Sequence, residues 1–341
     1  ASGNPVGDEF LVNDETYGDQ ARPSISARDD GGFVITWTSF DGQDGSGQGI
    51  FAKVYPGTST GPQPVTLTEG DEFGVNSTTY SDQIYSNVTN LTDGGFVINW
   101  SSLNQDGSGW GVYGQRYDSA GNEIGGEFRV NSHWVADQIE PSATALDNGG
   151  FLITWHSMGQ DSSGWGVYGQ SYDAGGNTAG GEFQISTQTY AHQVWPDATT
   201  LSDGSVLVVW GSLIQDGSSY GIYGQRIDAS GAKIGGEFQI NTYWQGGQWA
   251  PDVAALNNGG FVVTWYSDSQ DGSASGIYAQ RYDAGGNPDG GEFLVNSTTY
   301  NYQTTSTVTG LADDGFVITW QSNGQDGSGY GVYGQRYDAN G

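Results

Sequence analysis

The 341-residue chain contains no cysteine. That excludes a disulfide scaffold, a thiolate metal site and a cysteine nucleophile. Cations are nearly as scarce: nine Lys plus Arg stand against 39 Asp plus Glu, a formal charge of −30. Nucleic acid and anionic membrane surfaces are therefore not expected partners, because phosphate binding needs a basic footprint. Divalent cations and neutral partners such as sugars suit the same acidity. No apolar run approaches the ~18 residues of a membrane-spanning helix, so no membrane insertion is expected. Helical periodicity is absent throughout. Glycine, in contrast, is abundant at 58 residues, and aromatics make up 13 %. Glycine far above its usual ~7 %, combined with regular apolar runs, implies many tight turns around a packed core.

The turns recur with a period. The Gln of QDGSG-type loops falls at 43, 105, 160, 215, 270 and 325, and the Trp ending FVITW-type runs at 37, 100, 155, 210, 265 and 320. The Glu of the GEF segments falls at 9, 72, 127, 182, 237 and 292. Steps of about 55 residues make six repeats, at about 14–73, 74–128, 129–183, 184–238, 239–293 and 294–341. The first is longer, mostly within PGTSTGPQPVTLTEGDEF (56–73).

Each repeat reads as four strands, for example PDVAAL (251–256), GFVVTWYS (260–267), GIYAQRYD (276–283) and GEFLVN (291–296). The second run is apolar on both faces, as in a strand covered by stacked sheets. The expected fold is all-β: a six-bladed β-propeller with four antiparallel strands per blade. The last repeat stops at YDANG, before its fourth strand, while the chain opens on a spare GDEFLVN. Residues 8–13 are therefore expected to close the ring by pairing with the last blade, which removes an open edge.

The connections carry the candidate site. The Trp37 series reads as core. The other six tryptophans, Trp110, Trp134, Trp165, Trp195, Trp244 and Trp249, all fall in or beside the second-to-third and fourth-to-first connections, which share one face. Tyr220 and Tyr330 occupy the slot of Trp110 and Trp165. Aromatics gathered on one face suit stacking on sugar rings. Gln83, Gln138, Gln193 and Gln248, with Gln20 and Gln303, recur at the start of the first strand and are read as ligand-binding or as blade-to-loop ties. Asp44, Asp106, Asp161, Asp216, Asp271 and Asp326 fill the QDGSG slot. They are read as turn formers, with Ca²⁺ ligation as the alternative cofactor reading. Arg116, Arg226, Arg281 and Arg336 share a third-strand slot and are expected to pair with a neighbouring carboxylate such as the GEF glutamate. His133, His156 and His192 lie in different repeats without metal spacing.

The repeat GGFVITWxSxxQDGSGxGVYGQRYDAxGxxxGGEFxVN resembles those of very large secreted bacterial proteins of the RTX and adhesin type. The resemblance covers the whole chain. It implies a secreted or cell-surface location, a calcium-rich setting and membership of a larger polypeptide or assembly. The RTX nonapeptide GGxGxDxUx is absent, so its calcium-binding mechanism is not carried over. The expected function is a non-enzymatic binding module that takes a glycan or another extracellular partner through the aromatic loops. The alternatives are a structural or assembly module and a glycan-active propeller enzyme. Six-bladed glycosidases of the sialidase type use arginines on a substrate carboxylate and a Tyr–Glu pair, whereas the third-strand arginines here are spread by repeat.

Overall fold

The structure, a computed structural model, describes residues 10–40, 42–57, 70–339 and 341. The described residues form six antiparallel sheets, one per repeat, and no helix. The fold class is the expected one: all-β, six blades, a six-bladed β-propeller. The first strands are Gln20–Ala27, Gln83–Asn90, Gln138–Ala145, Gln193–Thr200, Gln248–Ala255 and Gln303–Gly310. The second are Phe33–Ser39, Phe96–Leu103, Phe151–Met158, Val206–Leu213, Phe261–Asp268 and Phe316–Asn323. The third are Gly49–Tyr55, Trp110–Tyr117, Trp165–Tyr172, Tyr220–Ile227, Ser275–Tyr282 and Tyr330–Tyr337. The fourth strand is seven residues long in the second and fourth blades, Glu123–Arg129 and Lys233–Gln239. It shrinks to Phe73–Gly74, Phe183–Gln184 and Phe293–Leu294 in the first, third and fifth. In the fifth, Pro288 cannot donate to a ladder, which shortens the pairing.

The chain divides into two compact units, 1–151 with 173–177, and 152–172 with 178–341. The first holds blades one and two and the first strand of blade three. Its core lies between blades: Val34, Ile50 and Ala52 pack against Val88, Ile98 and Trp100. The second unit repeats the scheme, with Leu207, Val209 and Ile222 against Val253, Val263 and Trp265. Trp100, Trp155, Trp210 and Trp265 are fully buried, as their periodic slot requires. A second contact also recurs. Phe96 stacks on Tyr117 at 4.9 Å, and Phe73 of the preceding blade tilts onto the same ring at 5.5 Å.

Residues 8 and 9 of the expected closing segment, with the seven residues before them, and 58–69 of the first-repeat insertion, lie outside the described residues. Phe10–Asn13 carry no strand. Phe10 nonetheless meets Tyr55 at 5.6 Å, where Tyr117 receives Phe73 and Tyr337 receives Phe293. The start of the chain thus supplies to blade one the aromatic contact that a fourth strand supplies to the blade after it. Among the described residues the sixth sheet has three strands.

Candidate functional site

The QDGSG aspartates are turn formers. Each accepts at Oδ1 the N–H two residues on: Asp44 from Ser46 (3.3 Å), Asp161 from Ser163 (3.0 Å) and Asp326 from Ser328 (3.2 Å), and Asp106, Asp216 and Asp271 do the same. This is an Asx turn. It also explains the glycine that opens the third strand. A Cβ on Gly49, Gly111, Gly166, Gly221, Gly276 or Gly331 would come within 2.6–2.9 Å of the aspartate Oδ2. Among the described residues no three His, Cys, Asp or Glu side chains converge as metal ligands.

In the first five repeats the Gln that opens the QDGSG loop ties it to the GEF glutamate: Gln215 Nε2 donates to Glu237 Oε1 and Gln270 Nε2 to Glu292 Oε1, both at 2.5 Å, and Gln43, Gln105 and Gln160 do likewise with Glu72, Glu127 and Glu182. Those glutamates are therefore not the arginine partners, which corrects the expected ion pair. Arg116, Arg226 and Arg336 instead face Asp93, Asp203 and Asp313, and Arg281 faces Asp289 at 2.6 Å. These aspartates sit in surface turns, where the pairs fasten hairpins.

Gln83, Gln138, Gln193 and Gln248 are fully buried. Gln83 accepts from Asn76 Nδ2 at 3.0 Å and Gln138 from Asn131 Nδ2 at 3.0 Å, while Gln193 donates to the Tyr190 carbonyl at 2.9 Å. They hold the fourth-to-first connection in place. The aspartate before the glutamine anchors the other loop: Asp137 Oδ1 accepts the Trp110 N–H at 3.0 Å. His192 Nδ1 does this for Trp165 at 3.2 Å. His156 is buried edge-on against Trp165 at 4.7 Å, and burial brings its pKa down to about 3, so it stays neutral. Trp134, Trp244 and Tyr330 are more than half exposed.

The constellation that sequence reasoning missed lies two residues after each of these glutamines. The slot holds Arg22, Tyr85, Glu140, Trp195, Ala250 and Thr305, and all six have φ between 46° and 57°. In the blades whose register is resolved, the ladder shifts here, between Ile84 and Asn87 and between Val194 and Asp197 for example. The slot is a β-bulge, which re-aims a side chain. For bulky residues the left-handed region is a strained conformation. Pro23, Pro141, Pro196 and Pro251 follow the slot in four repeats, and a proline suits a bulge because it needs no ladder partner. That proline, together with the chemical diversity of the slot before it, was the available signal.

In the first unit three successive slots converge. The Arg22 guanidinium lies 4.2 Å over the Tyr85 ring and 5.9 Å from that of Phe40. The Tyr85 hydroxyl is hydrogen-bonded to the Glu140 carboxyl. Ser101 Oγ accepts the Glu140 N–H at 3.0 Å and fixes the bulge. Burial pushes the Glu140 carboxyl above the usual carboxylate range, against the pull of the Tyr85 hydrogen bond and the Arg22 charge. Burial, and then the Glu140 charge, raise the Tyr85 phenol, while Arg22 lowers it. Ala21 and Pro23, on either side of Arg22, line a cavity of about 180 Å³ with Val12, Ile35 and Trp37. The arrangement is a proton-sharing phenol–carboxyl pair under a solvent-facing cation, of the kind that tuned acid–base sites employ.

No protein-family model matches the chain, and no curated protein matches it in sequence. Solved structures are similar in fold. One is the α-L-arabinanase of Penicillium chrysogenum in complex with arabinobiose: 16 % identity, TM-score 0.61, covering 94 % of this chain and 93 % of that one. Another is an α-L-arabinofuranosidase from Fusarium graminearum with an iminosugar inhibitor: 13 % identity, TM-score 0.56, covering 93 % and 92 %. A third is a polysaccharide lyase, an ulvan lyase: 10 % identity, TM-score 0.54, covering 94 % and 79 %. At these identities the likeness is one of fold. It nevertheless corrects the expectation of a non-enzymatic module, since these neighbours are glycoside hydrolases and a polysaccharide lyase. The near-uniform repeats had argued against an asymmetric constellation, and Arg22, Tyr85 and Glu140 form an asymmetric cluster. The six repeats stand as blades, and no comparison bears on the RTX and adhesin resemblance.

Proposed function

We propose that the protein is a glycan-active enzyme that cleaves glycosidic bonds at Arg22, Tyr85 and Glu140. The observation that carries this reading is the convergence of a guanidinium, a phenol and a half-buried carboxyl from one repeat slot, joined by the Tyr85–Glu140 hydrogen bond. The hydrolases and the lyase that share the fold support it. In this reading Tyr85 faces the substrate, and Glu140 takes the phenolic proton as Tyr85 becomes nucleophile or base. Glu140 then returns that proton to the departing glycosidic oxygen. In elimination the Tyr85 oxygen takes a C–H proton from the carbon next to the one that loses that oxygen, leaving a double bond. In hydrolysis water breaks the glycosyl–Tyr85 bond and restores the Tyr85 hydroxyl. Arg22 stabilises the negative charge that develops on the Tyr85 oxygen. A carboxyl raised above its usual range and hydrogen-bonded to the phenol is suited to exchanging a proton with it.

The test is release of reducing ends from arabinan and from ulvan, with ultraviolet absorbance of the products separating hydrolysis from elimination. Tyr85→Phe and Glu140→Gln are each expected to lower kcat by about 10²–10⁴-fold, the range for removing a positioned acid or base. Folded variants with unchanged turnover, or a folded wild-type protein inert on both polysaccharides, overturn the proposal.

A further inference from the structure

The same slot in the second unit carries a tryptophan, and its surroundings form a different kind of site. Trp195 lies 5.2 Å from Tyr220 and 5.6 Å from Trp249, and Tyr220 lies 4.6 Å from Trp249. Tyr266 stacks behind Trp249 at 6.5 Å and 17°. All four rings are half-buried, so the cluster keeps a face open to solvent. Two features indicate that the sequence was fitted to these rings. Gly211 occupies the slot filled by Thr38, Ser101, His156, Tyr266 and Gln321 in the other repeats, and a Cβ there would lie 3.1 Å from Trp195 Cε3. Trp249 Nε1 donates to Asp268 Oδ2 at 3.0 Å, which fixes the ring's orientation.

A hydrophobic core needs neither of these devices, because the Trp210 series already fills it. Flat aromatic faces with their N–H group tied down present C–H-accepting surface to an apolar ring face. The nearby charge is the Asp268 carboxylate, which disfavours an acidic ligand. We infer that Trp195, Tyr220 and Trp249 form a stacking subsite for a neutral sugar ring. This rests on the glycan-active reading but uses none of its catalytic residues.

The experiment titrates the Tyr85→Phe protein, which leaves the probe intact, with arabinohexaose and with hexagalacturonate. Intrinsic tryptophan fluorescence and calorimetry are the readouts. Arabinohexaose is expected to bind and to shift the emission, and hexagalacturonate to bind at least tenfold more weakly. Trp195→Gly removes the ring while relieving the backbone strain. It is expected to raise Kd at least tenfold with little change in melting temperature, whereas a purely structural ring would lower the melting temperature and leave Kd alone. Gly211→Ser keeps every ring but displaces Trp195, and is expected to weaken binding as well. No binding of arabinohexaose by the folded protein, a Kd unchanged in both variants, or tighter binding of hexagalacturonate overturns the inference. Turnover that is abolished by Tyr85→Phe while the platform variants bind normally would sink the subsite and leave the catalytic reading standing. Normal platform behaviour with turnover indifferent to Tyr85 would do the reverse.

Discussion

Asp252 is a half-buried carboxylate, desolvated by its packing against the next blade, in a chain that already carries a charge of −30. It sits four residues after Gln248 and accepts the Val308 N–H of the next blade at 2.7 Å. Asp197, in the equivalent slot, accepts the Val253 N–H at 2.9 Å. In the first unit Asn87 does the same work with a neutral amide, accepting the Ala143 N–H at 3.3 Å. The slot therefore calls for an acceptor, not a charge. Burial first, and then the Asp197 charge, push the Asp252 carboxyl well above its ordinary range. With a folded-state pKa above the unfolded one, its contribution to stability is fully present below the unfolded pKa near 4. That contribution is lost as pH rises through the folded value. Each unit of elevation corresponds to about 1.4 kcal/mol. Asp252→Asn keeps the Val308 hydrogen bond and removes the desolvated charge, so it should stabilise the protein at pH 7 by about 1–3 kcal/mol, the scale of a buried polar mismatch. For a chain of this length that is a rise of about 2–5 °C in melting temperature. The gain should vanish at a pH below 4, where both side chains are neutral. Melting curves of the two proteins across that range decide it. A variant less stable than the wild type at pH 7, or a gain that does not depend on pH, refutes the reasoning.

Two further substitutions test the architecture. Asp216→Asn preserves the acceptor of the Asx turn to Ser218, so stability should change by less than about 0.5 kcal/mol, with the same melting temperature in calcium and in chelator. A calcium-dependent shift that the variant abolishes would make Asp216 a ligand instead. Ala250→Gly relieves a left-handed residue at φ 46°, and that relief offsets the unfolded-state entropy that glycine adds. It should be nearly neutral in denaturant titration, whereas Ala254→Gly in the same strand should destabilise by about 1 kcal/mol.

The architecture was legible because it repeats. The Trp37 series, the two-sided apolar second strand and the glycine turns each occur six times, and a slot filled in the same way in every repeat reports geometry shared by every blade. The expected pairing of residues 8–13 with the last blade was not legible in this way: Phe10–Asn13 form no strand, and Phe10 instead meets Tyr55 of blade one as Phe73 meets Tyr117. The partners of charged groups were less so. Sequence order does not tell whether Arg226 reaches Glu237 or Asp203, because both are close in the chain and only the pleat decides which side each faces. The candidate active site was hidden for the opposite reason to the fold. Its slot changes in every repeat, and averaging the repeats erases it.

The bulge explains why such a slot exists. Its φ is left-handed even where the residue is Ala250 or Thr305, so the strain belongs to the scaffold and by itself marks no function. What it does is aim one side chain per first strand away from the ladder, where it no longer has to satisfy the alternation of a packed strand. The buried glutamine before the slot and the blade-to-blade acceptor after it hold the backbone on both sides, as Gln83 and Asn87 do around Tyr85. Side chains between those two ties can change without disturbing the core. A repeat protein needs asymmetry for catalysis, and this slot lets Arg22, Tyr85 and Glu140 occupy one chemistry while Trp195 occupies another on nearly identical blades.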